Sequence, residues 1–218
     1  MSNFYDQFIL TMKRLFLLIF LIITLVSCRK EPSRVFLFIE DSQQLSYMVT
    51  HEVGKMKEEL NQSGFKITTS TLSGEALKTD SITLVPDIKL ANVNIDDFAG
   101  FILPCMASDT VITSQEIEFV KKVVSKGKPI AAQVGAVQIL ARAGVLEGKK
   151  YAFVDEKNEN HDMYPEFSGG NFCGNGVIRD GNIITSGTCP WMAKLTGHQD
   201  GTAELTHELI NVMKGRIK

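Results

Sequence analysis

The chain has 218 residues, a formal net charge of −2 at pH 7 and 44% hydrophobic residues. This length suits one sizeable α/β domain, and no change in composition after residue 31 indicates a second one. Because the charges nearly balance, the sequence provides no basic surface for nucleic acid, and we exclude nucleic-acid binding.

The N-terminus predicts a bacterial lipoprotein signal. Lys13 and Arg14 precede the apolar run 15–26, which ends in the tetrapeptide LVSC. This run is too short to span a bilayer, which takes about 20 helical residues. A basic start, a short apolar core and a small-residue cleavage site are instead typical of a signal peptide. The residues before Met12 are not required by this signal, so translation starts at Met1 or at Met12.

The signal sets the predicted domain organisation. Residues 1–27 are removed, residues 28–33 form a tether, and residues 34–218 form one folded domain. The tetrapeptide resembles a lipobox, which implies a lipid on Cys28 that anchors the domain to the bacterial cell envelope. In a Gram-negative cell this would be the outer membrane or the periplasmic face. An ordinary secretory signal and a buried helix are the alternatives.

Strands and helices are predicted to alternate after the tether. Apolar, β-branched and aromatic runs indicate buried strands, and apolar positions that repeat about every 3.6 residues indicate helices. The predicted strands are 35–39, 65–71, 82–85, 98–103, 129–133 and 151–154, with a hairpin of arms 176–179 and 182–186. The predicted helices are 45–63, a helix from the capping box at Thr113 to Gly127, 137–143 and 202–214.

This order predicts an α/β fold, a flavodoxin-like three-layer sandwich. Its central sheet is mostly parallel, with helices on both faces and a C-terminal β-hairpin. In such sheets, ligands bind at the carboxyl ends of the strands.

One segment has the form of a catalytic elbow without a nucleophile. Residues 127–148 read GKPIAAQVGAVQILARAGVLEG, an apolar strand that turns sharply into a short helix. The corner residue is Val134, whose hydrocarbon side chain cannot attack a substrate, and the next residue, Gly135, has no side chain. Because a β-branched residue is strained at such a corner, we predict that Val134 adopts ordinary backbone geometry and that Gly135 absorbs the turn.

Four stretches in this order resemble the ThiJ/PfpI family of the class I glutamine-amidotransferase-like fold. They are LVPD from Leu84, DFAGFILP from Asp97, the elbow segment and RDGNIITS from Arg179. The resemblance covers residues 34–215. The resemblance implies that Val134 occupies the position of the family's nucleophilic cysteine and that Gly135 occupies the position of the histidine that often follows it. This chain is then a pseudoenzyme at the elbow.

The resemblance also implies other residues of the pocket. Where the family has Leu-Pro-Gly-Gly, whose backbone amides help to form an oxyanion site, this chain has Cys105 and Met106 in place of the glycines. Glu40 follows the first strand, where the family places an acidic residue. His161 follows the elbow helix, where some relatives have a pocket histidine, but its charged surroundings favour the surface. Cys189 follows the hairpin that approaches the pocket in relatives.

Three cysteines are left once the anchor cysteine is set aside: Cys105, Cys173 and Cys189. At most one intramolecular disulfide can form, and the sequence does not choose the pair. Buried thiols and one disulfide are both preferred to catalytic thiols. Since the cysteine and histidine spacing matches no zinc site and the glycine-rich segments lack a P-loop lysine, we predict no metal and no cofactor.

We therefore predict a lipid-anchored envelope domain that binds a small molecule or an envelope protein and is not an enzyme. The first alternative is an active cysteine hydrolase, either a peptidase or an amidase, or a glyoxalase-like or deglycase-like enzyme that uses Cys105 or Cys189. The second alternative is a structural module that forms a homodimer.

Overall fold

The computed structural model describes residues 33–40, 45–79, 81–105, 111–154 and 164–215. The predicted lipoprotein signal with Cys28 lies outside the described residues, and so do Met106 and His161. Within the described ranges, no helix has the length and apolar character needed to cross a bilayer.

A seven-stranded sheet forms the centre of the domain. Numbered along the chain, the strands are β1 (Arg34–Phe38), β2 (Lys66–Thr71), β3 (Leu77–Lys78), β4 (Thr83–Leu84), β5 (Ile88–Lys89), β6 (Phe98–Leu103), β7 (Ile130–Gln133), β8 (Lys150–Tyr151), β9 (Asn171–Phe172), β10 (Val177–Asp180) and β11 (Ile183–Ser186). The sheet has the order β10-β11-β7-β6-β1-β2-β5. Every neighbouring pair is parallel except the antiparallel hairpin of β10 and β11.

Helices cover both faces of this sheet. They are α1 (Leu45–Met48), a π-helical turn (Val49–Val53), α2 (Gly54–Gln62), α3 (Ser114–Ser125), α4 (Val137–Arg142), α5 (Pro190–Thr196) and α6 (Thr202–Met213). Side chains of α3 and α4 share one apolar core with Phe36, while those of α2 and α6 share the other with Val35. Alternate residues of β1 therefore enter opposite cores, which explains its continuous apolar sequence. The predicted three-layer α/β sandwich is confirmed.

The predicted capping box of the third helix is also confirmed. The Thr113 hydroxyl accepts a hydrogen bond from the backbone N–H of Glu116, and the Glu116 carboxylate accepts one from the backbone N–H of Thr113. Each residue thereby satisfies an N–H group that the first helical turn leaves unpaired.

The prediction for residues 82–85 is wrong in one respect. Thr83–Leu84 does not join the central sheet but pairs antiparallel with Leu77–Lys78 in a separate ribbon. Val85 is 70% exposed, and Pro86 follows it without an N–H to donate to a neighbouring strand. The edge position beside β2 is taken instead by Ile88–Lys89, which pairs with Ser70 and Thr71.

Candidate functional site

The topology brings three segments together at the carboxyl edge of the sheet. Because β6, β7 and β11 are parallel, their carboxyl ends lie side by side, and each is followed by a chemically distinctive residue. Cys105 follows β6, Val134 follows β7 and Cys189 follows β11. All three side chains belong to the same apolar cluster.

The corner of the elbow has a strained backbone. Val134 has φ = 48° and is the one non-glycine residue with positive φ in the described part of the chain, whereas Gly135 is not among the glycines with positive φ. The prediction that Val134 relaxes and that Gly135 absorbs the turn is therefore wrong. The surrounding structure fixes the corner, since β7 is paired on both sides and the turn leads directly into a buried helix.

Gln133, the residue before the corner, connects the elbow by hydrogen bonds to the segment that precedes Cys189. Its side chain is fully buried, and its Nε2 donates to the carbonyl oxygen of Thr188 at 2.8 Å and to Oγ1 of Thr202 at 3.1 Å. The Thr202 hydroxyl in turn donates to Asp200 at 2.6 Å. The elbow, the segment before Cys189 and the start of α6 thus share one buried network.

A buried carboxylate reaches the same edge from the π-helical turn. Glu52 is fully buried, and its Oε1 accepts a hydrogen bond of 2.7 Å from the backbone N–H of Cys105. Sequence reasoning missed this residue and pointed to Glu40 as the acidic group. A signal was present, because Glu52 lies among the apolar positions of its helix, where a charged residue needs a polar partner.

Cys105 and Cys189 contact each other through their side chains. Their thiols are hydrogen-bonded, with Cys189 fully buried and Cys105 partly buried. Cys173, by contrast, is exposed, and its thiol donates to the carbonyl oxygen of Asn171.

The two thiols differ in acidity. The hydrogen bond to Cys189 raises the pKa of Cys105 well above its ordinary value, and burial and the negative charge of Glu52 act in the same direction. The N–H of Gly135, aimed at the Cys105 sulfur, opposes this rise only partly.

The pKa of Cys189 is lowered. The largest cause is the hydrogen bond that the Cys105 thiol donates to it, and backbone N–H groups of Met192 and Trp191 add to the effect. Burial opposes this decrease. The pair therefore holds one negative charge most easily on Cys189, at the start of α5.

Glu40 lines a cavity at the carboxyl ends of β1, β2 and β5. This cavity has a volume of about 440 Å³ and is lined by Glu40, Thr71, Leu72, Ser73, Leu77, Lys89, Val111 and Gln115. Glu40 is buried. The Nε2 of Gln115 is also buried and has no hydrogen-bond acceptor within the part of the chain that the structure describes. The cavity thus combines an apolar wall with polar groups that suit a small ligand.

A metal site is not formed by the residues that the structure describes, since they contain no group of three or more histidine, cysteine, aspartate or glutamate side chains arranged to hold an ion.

The chain matches a known protein family and is similar in sequence to several known proteins. The sequence model of the DJ-1/PfpI family matches residues 34–197. An uncharacterized protein of Methanocaldococcus jannaschii is 28% identical over 139 residues, which are 62% of this chain and 66% of the relative. A deglycase of Pyrococcus abyssi is 37% identical over 70 residues, which are 31% of this chain and 42% of the relative. The chain therefore spans less than two thirds of the length of both relatives.

Among solved structures, the chain is similar to DJ-1beta of Drosophila melanogaster. The two share 23% sequence identity with a TM-score of 0.63, over 84% of this chain and 91% of the other. This similarity establishes the fold.

Proposed function

Since the chain belongs to the DJ-1/PfpI family, we propose that it is an envelope-anchored member that binds a small molecule and performs no covalent catalysis at its elbow. The observation that carries the proposal is the hydrocarbon side chain of Val134 at the corner. The family resemblance implies a nucleophilic cysteine at this position. A hydrocarbon can neither attack a carbonyl group nor carry the negative charge of an activated nucleophile.

The cavity around Glu40 is the proposed binding site. It lies at the carboxyl edge of the parallel strands, where ligands bind in sheets of this kind. Its volume of about 440 Å³ falls in the usual range for small-molecule sites. We therefore favour a small molecule over a protein partner.

The lining residues define a class of ligand. The Glu40 carboxylate suits an ammonium group, Lys89 suits a carboxylate, and Leu72 and Leu77 supply an apolar wall. The buried Nε2 of Gln115 offers a further donor to a ligand oxygen. An amino acid or short peptide with an apolar side chain has all these features, and we propose this class.

The experiment is isothermal titration calorimetry of the purified chain with a panel of free amino acids and dipeptides. Members with apolar side chains should bind, and Glu40→Gln should weaken their binding at least about tenfold, because a hydrogen bond to a charged group is worth about 1.5–3 kcal/mol. Glu147→Gln, at an exposed carboxylate outside the cavity, is the matched control and should bind as the wild type does. Lack of binding by the whole panel, or equal loss in both variants, would refute this ligand class.

An enzyme that uses Cys105 or Cys189 is the second candidate. Two observations favour it: the lowered pKa of Cys189 beside a second thiol, and the sequence similarity to a deglycase over 70 residues. A reactive thiol must also be reachable by substrate, and Cys189 is fully buried. The thiol with the greater exposure, Cys105, has the raised pKa. The more acidic thiol is therefore the less accessible one, and the more accessible thiol is the less acidic one. For this reason we prefer ligand binding to catalysis by either cysteine.

A further inference from the structure

We infer that Cys105 and Cys189 form a reversible disulfide, so that the sheet edge beside the elbow is a site of thiol–disulfide exchange with a low-molecular-weight disulfide. This inference is independent of the proposed ligand, which occupies the cavity around Glu40.

The geometry of the pair is the first support. The two residues are far apart in the sequence, yet their thiols are hydrogen-bonded and both side chains pack in one apolar cluster. Cys105 follows the end of β6, and Cys189 is the residue that precedes α5. The two thiols are therefore neighbours in the folded chain.

Both backbones are held in place by hydrogen bonds, which is the second support. The N–H of Cys105 donates to the buried Glu52 carboxylate at 2.7 Å. On the other side, the carbonyl oxygen of Thr188 accepts from Gln133 at 2.8 Å and from the N–H of Gly201 at 2.9 Å. The residues that carry the two thiols are thus positioned from opposite sides of the elbow.

Exposure and charge assign different roles to the two sulfur atoms. Cys105 is partly exposed and can meet an external disulfide, whereas Cys189 is fully buried and can react only with a group already inside. Backbone N–H groups of Trp191 and Met192 stabilise negative charge on Cys189. Because a thiolate and not a thiol is the attacking species, the exchange starts from the pair after it has lost one proton, with the negative charge on Cys189.

The exchange takes place in two steps. In the first, Cys105 passes its proton to Cys189 and attacks one sulfur of the external disulfide, which forms a mixed disulfide and expels one thiolate. In the second, Cys189 loses its proton, attacks the Cys105 sulfur and expels the other thiolate. Two electrons pass from the cysteine pair to the external disulfide. The one proton that the pair held ends on the first leaving thiolate, and the second leaves as a thiolate, so the negative charge is conserved.

The experiment treats the reduced full chain with oxidised glutathione, traps the thiols with N-ethylmaleimide and identifies the peptides by mass spectrometry. We expect a peptide that links Cys105 to Cys189 and disappears on addition of dithiothreitol. Exposed Cys173 should carry glutathione or maleimide and serves as the internal measure of reagent access. Cys173→Ser is the matched control and should leave the linked peptide unchanged.

Two single substitutions test the roles of the thiols. In Cys189→Ser, we expect Cys105 to accumulate as the mixed disulfide with glutathione, since the second thiol is missing. In Cys105→Ser, buried Cys189 should stay unmodified. Circular dichroism of each variant verifies the fold, and the wild-type result does not depend on either variant. The inference is refuted if Cys173 reacts while no Cys105–Cys189 peptide forms, or if Cys105 links to Cys173 instead.

Discussion

Val134 shows that the elbow retains its backbone without a reactive side chain. A non-glycine residue in such a conformation costs about 1–3 kcal/mol. Burying a valine side chain returns about 1.5–3 kcal/mol, and Val134 is only 6% exposed. The two contributions are of similar size, so valine is tolerated at the corner because its hydrocarbon packs in the core.

A comparison of Val134→Ala with Val134→Gly tests the strain at this corner. Both variants lose the two buried γ-methyl groups, alanine keeps the Cβ, and only glycine adopts positive φ without a steric cost. We expect Val134→Gly to be more stable than Val134→Ala by about 0.5–1 kcal/mol, the cost of the left-handed conformation less the entropic penalty of glycine. Denaturant unfolding followed by circular dichroism measures the difference.

The control for this pair is Val137, a buried residue of α4 with φ = −63°. In a regular helix the order reverses, and Val137→Gly should be less stable than Val137→Ala by about 1 kcal/mol. If glycine is the less stable replacement at both positions, then the corner is not strained.

At the scale of elements, the π-helical turn brings Glu52 to Cys105. The turn includes a hydrogen bond from the N–H of Gly54 to the carbonyl oxygen of Val49, one residue longer than the α-helical bond. Glu52 lies in this turn and is fully buried. The negative charge of Glu52 consequently acts on the thiol of Cys105, which follows β6.

We predict that Glu52→Gln lowers the pKa of Cys105. The negative charge of Glu52 disfavours the Cys105 thiolate, whereas glutamine keeps an oxygen that can accept the backbone hydrogen bond. The thiolate should therefore form at lower pH, and the pH profile of Cys105 alkylation by iodoacetamide should move in that direction. Peptide mass spectrometry follows the modification of Cys105 alone.

Glu58→Gln, at an exposed position of α2, is the matched control and should leave the profile unchanged. A profile that stays in place for Glu52→Gln, or moves to higher pH, would show that this carboxylate does not control the thiol.

Elements with a strong local pattern could be predicted from the sequence. The strand β1 is a continuous apolar run, the hairpin has a glycine at its turn, and α3 begins with a capping box. In each case the side chains that define the element are neighbours in the sequence. Local propensity and tertiary structure agree in these elements, so the predicted bounds lie close to those in the structure.

Other elements depend on contacts that the sequence does not display. The edge strand β5 has only two residues and exists because β2 provides partners for it. The short helix α5 was not predicted, since its inner surface is defined by packing against the first helical segment, including a ring contact between Trp191 and Tyr47. The π-helical turn has the same apolar spacing as an ordinary helix, so the sequence predicted one continuous helix there.

For the whole molecule, the parallel topology assembles the candidate site. Residues that follow three different strands meet because those strands end at one edge. The sequence placed Cys105 near the elbow but left the pairing of the three cysteines open. Only the strand order brings Cys105 beside Cys189 and leaves Cys173 exposed. The positive φ of Val134 also contradicts its local preference, because the whole sheet fixes the turn.

Envelope anchoring is a prediction for the whole chain that depends on Cys28, outside the described residues. We expect the wild-type chain, expressed in a bacterium, to incorporate labelled palmitate and to sediment with membranes, because a lipid on Cys28 supplies the apolar anchor. Cys28→Ser should lose the label and leave the membrane fraction, whereas the control Cys173→Ser should retain both properties. Labelling that persists in Cys28→Ser would place the lipid elsewhere or refute the anchor.

Product release from a methylglyoxal-modified amino acid is the most direct test of the claim that this chain binds without covalent catalysis. Purified wild-type protein is incubated with excess substrate, free amino acid is measured over time, and intact-mass spectrometry records any adduct on the chain. We expect no adduct on a cysteine and no release beyond the rate in buffer. Release of many product molecules per chain, abolished by Cys105→Ser or Cys189→Ser, would contradict it.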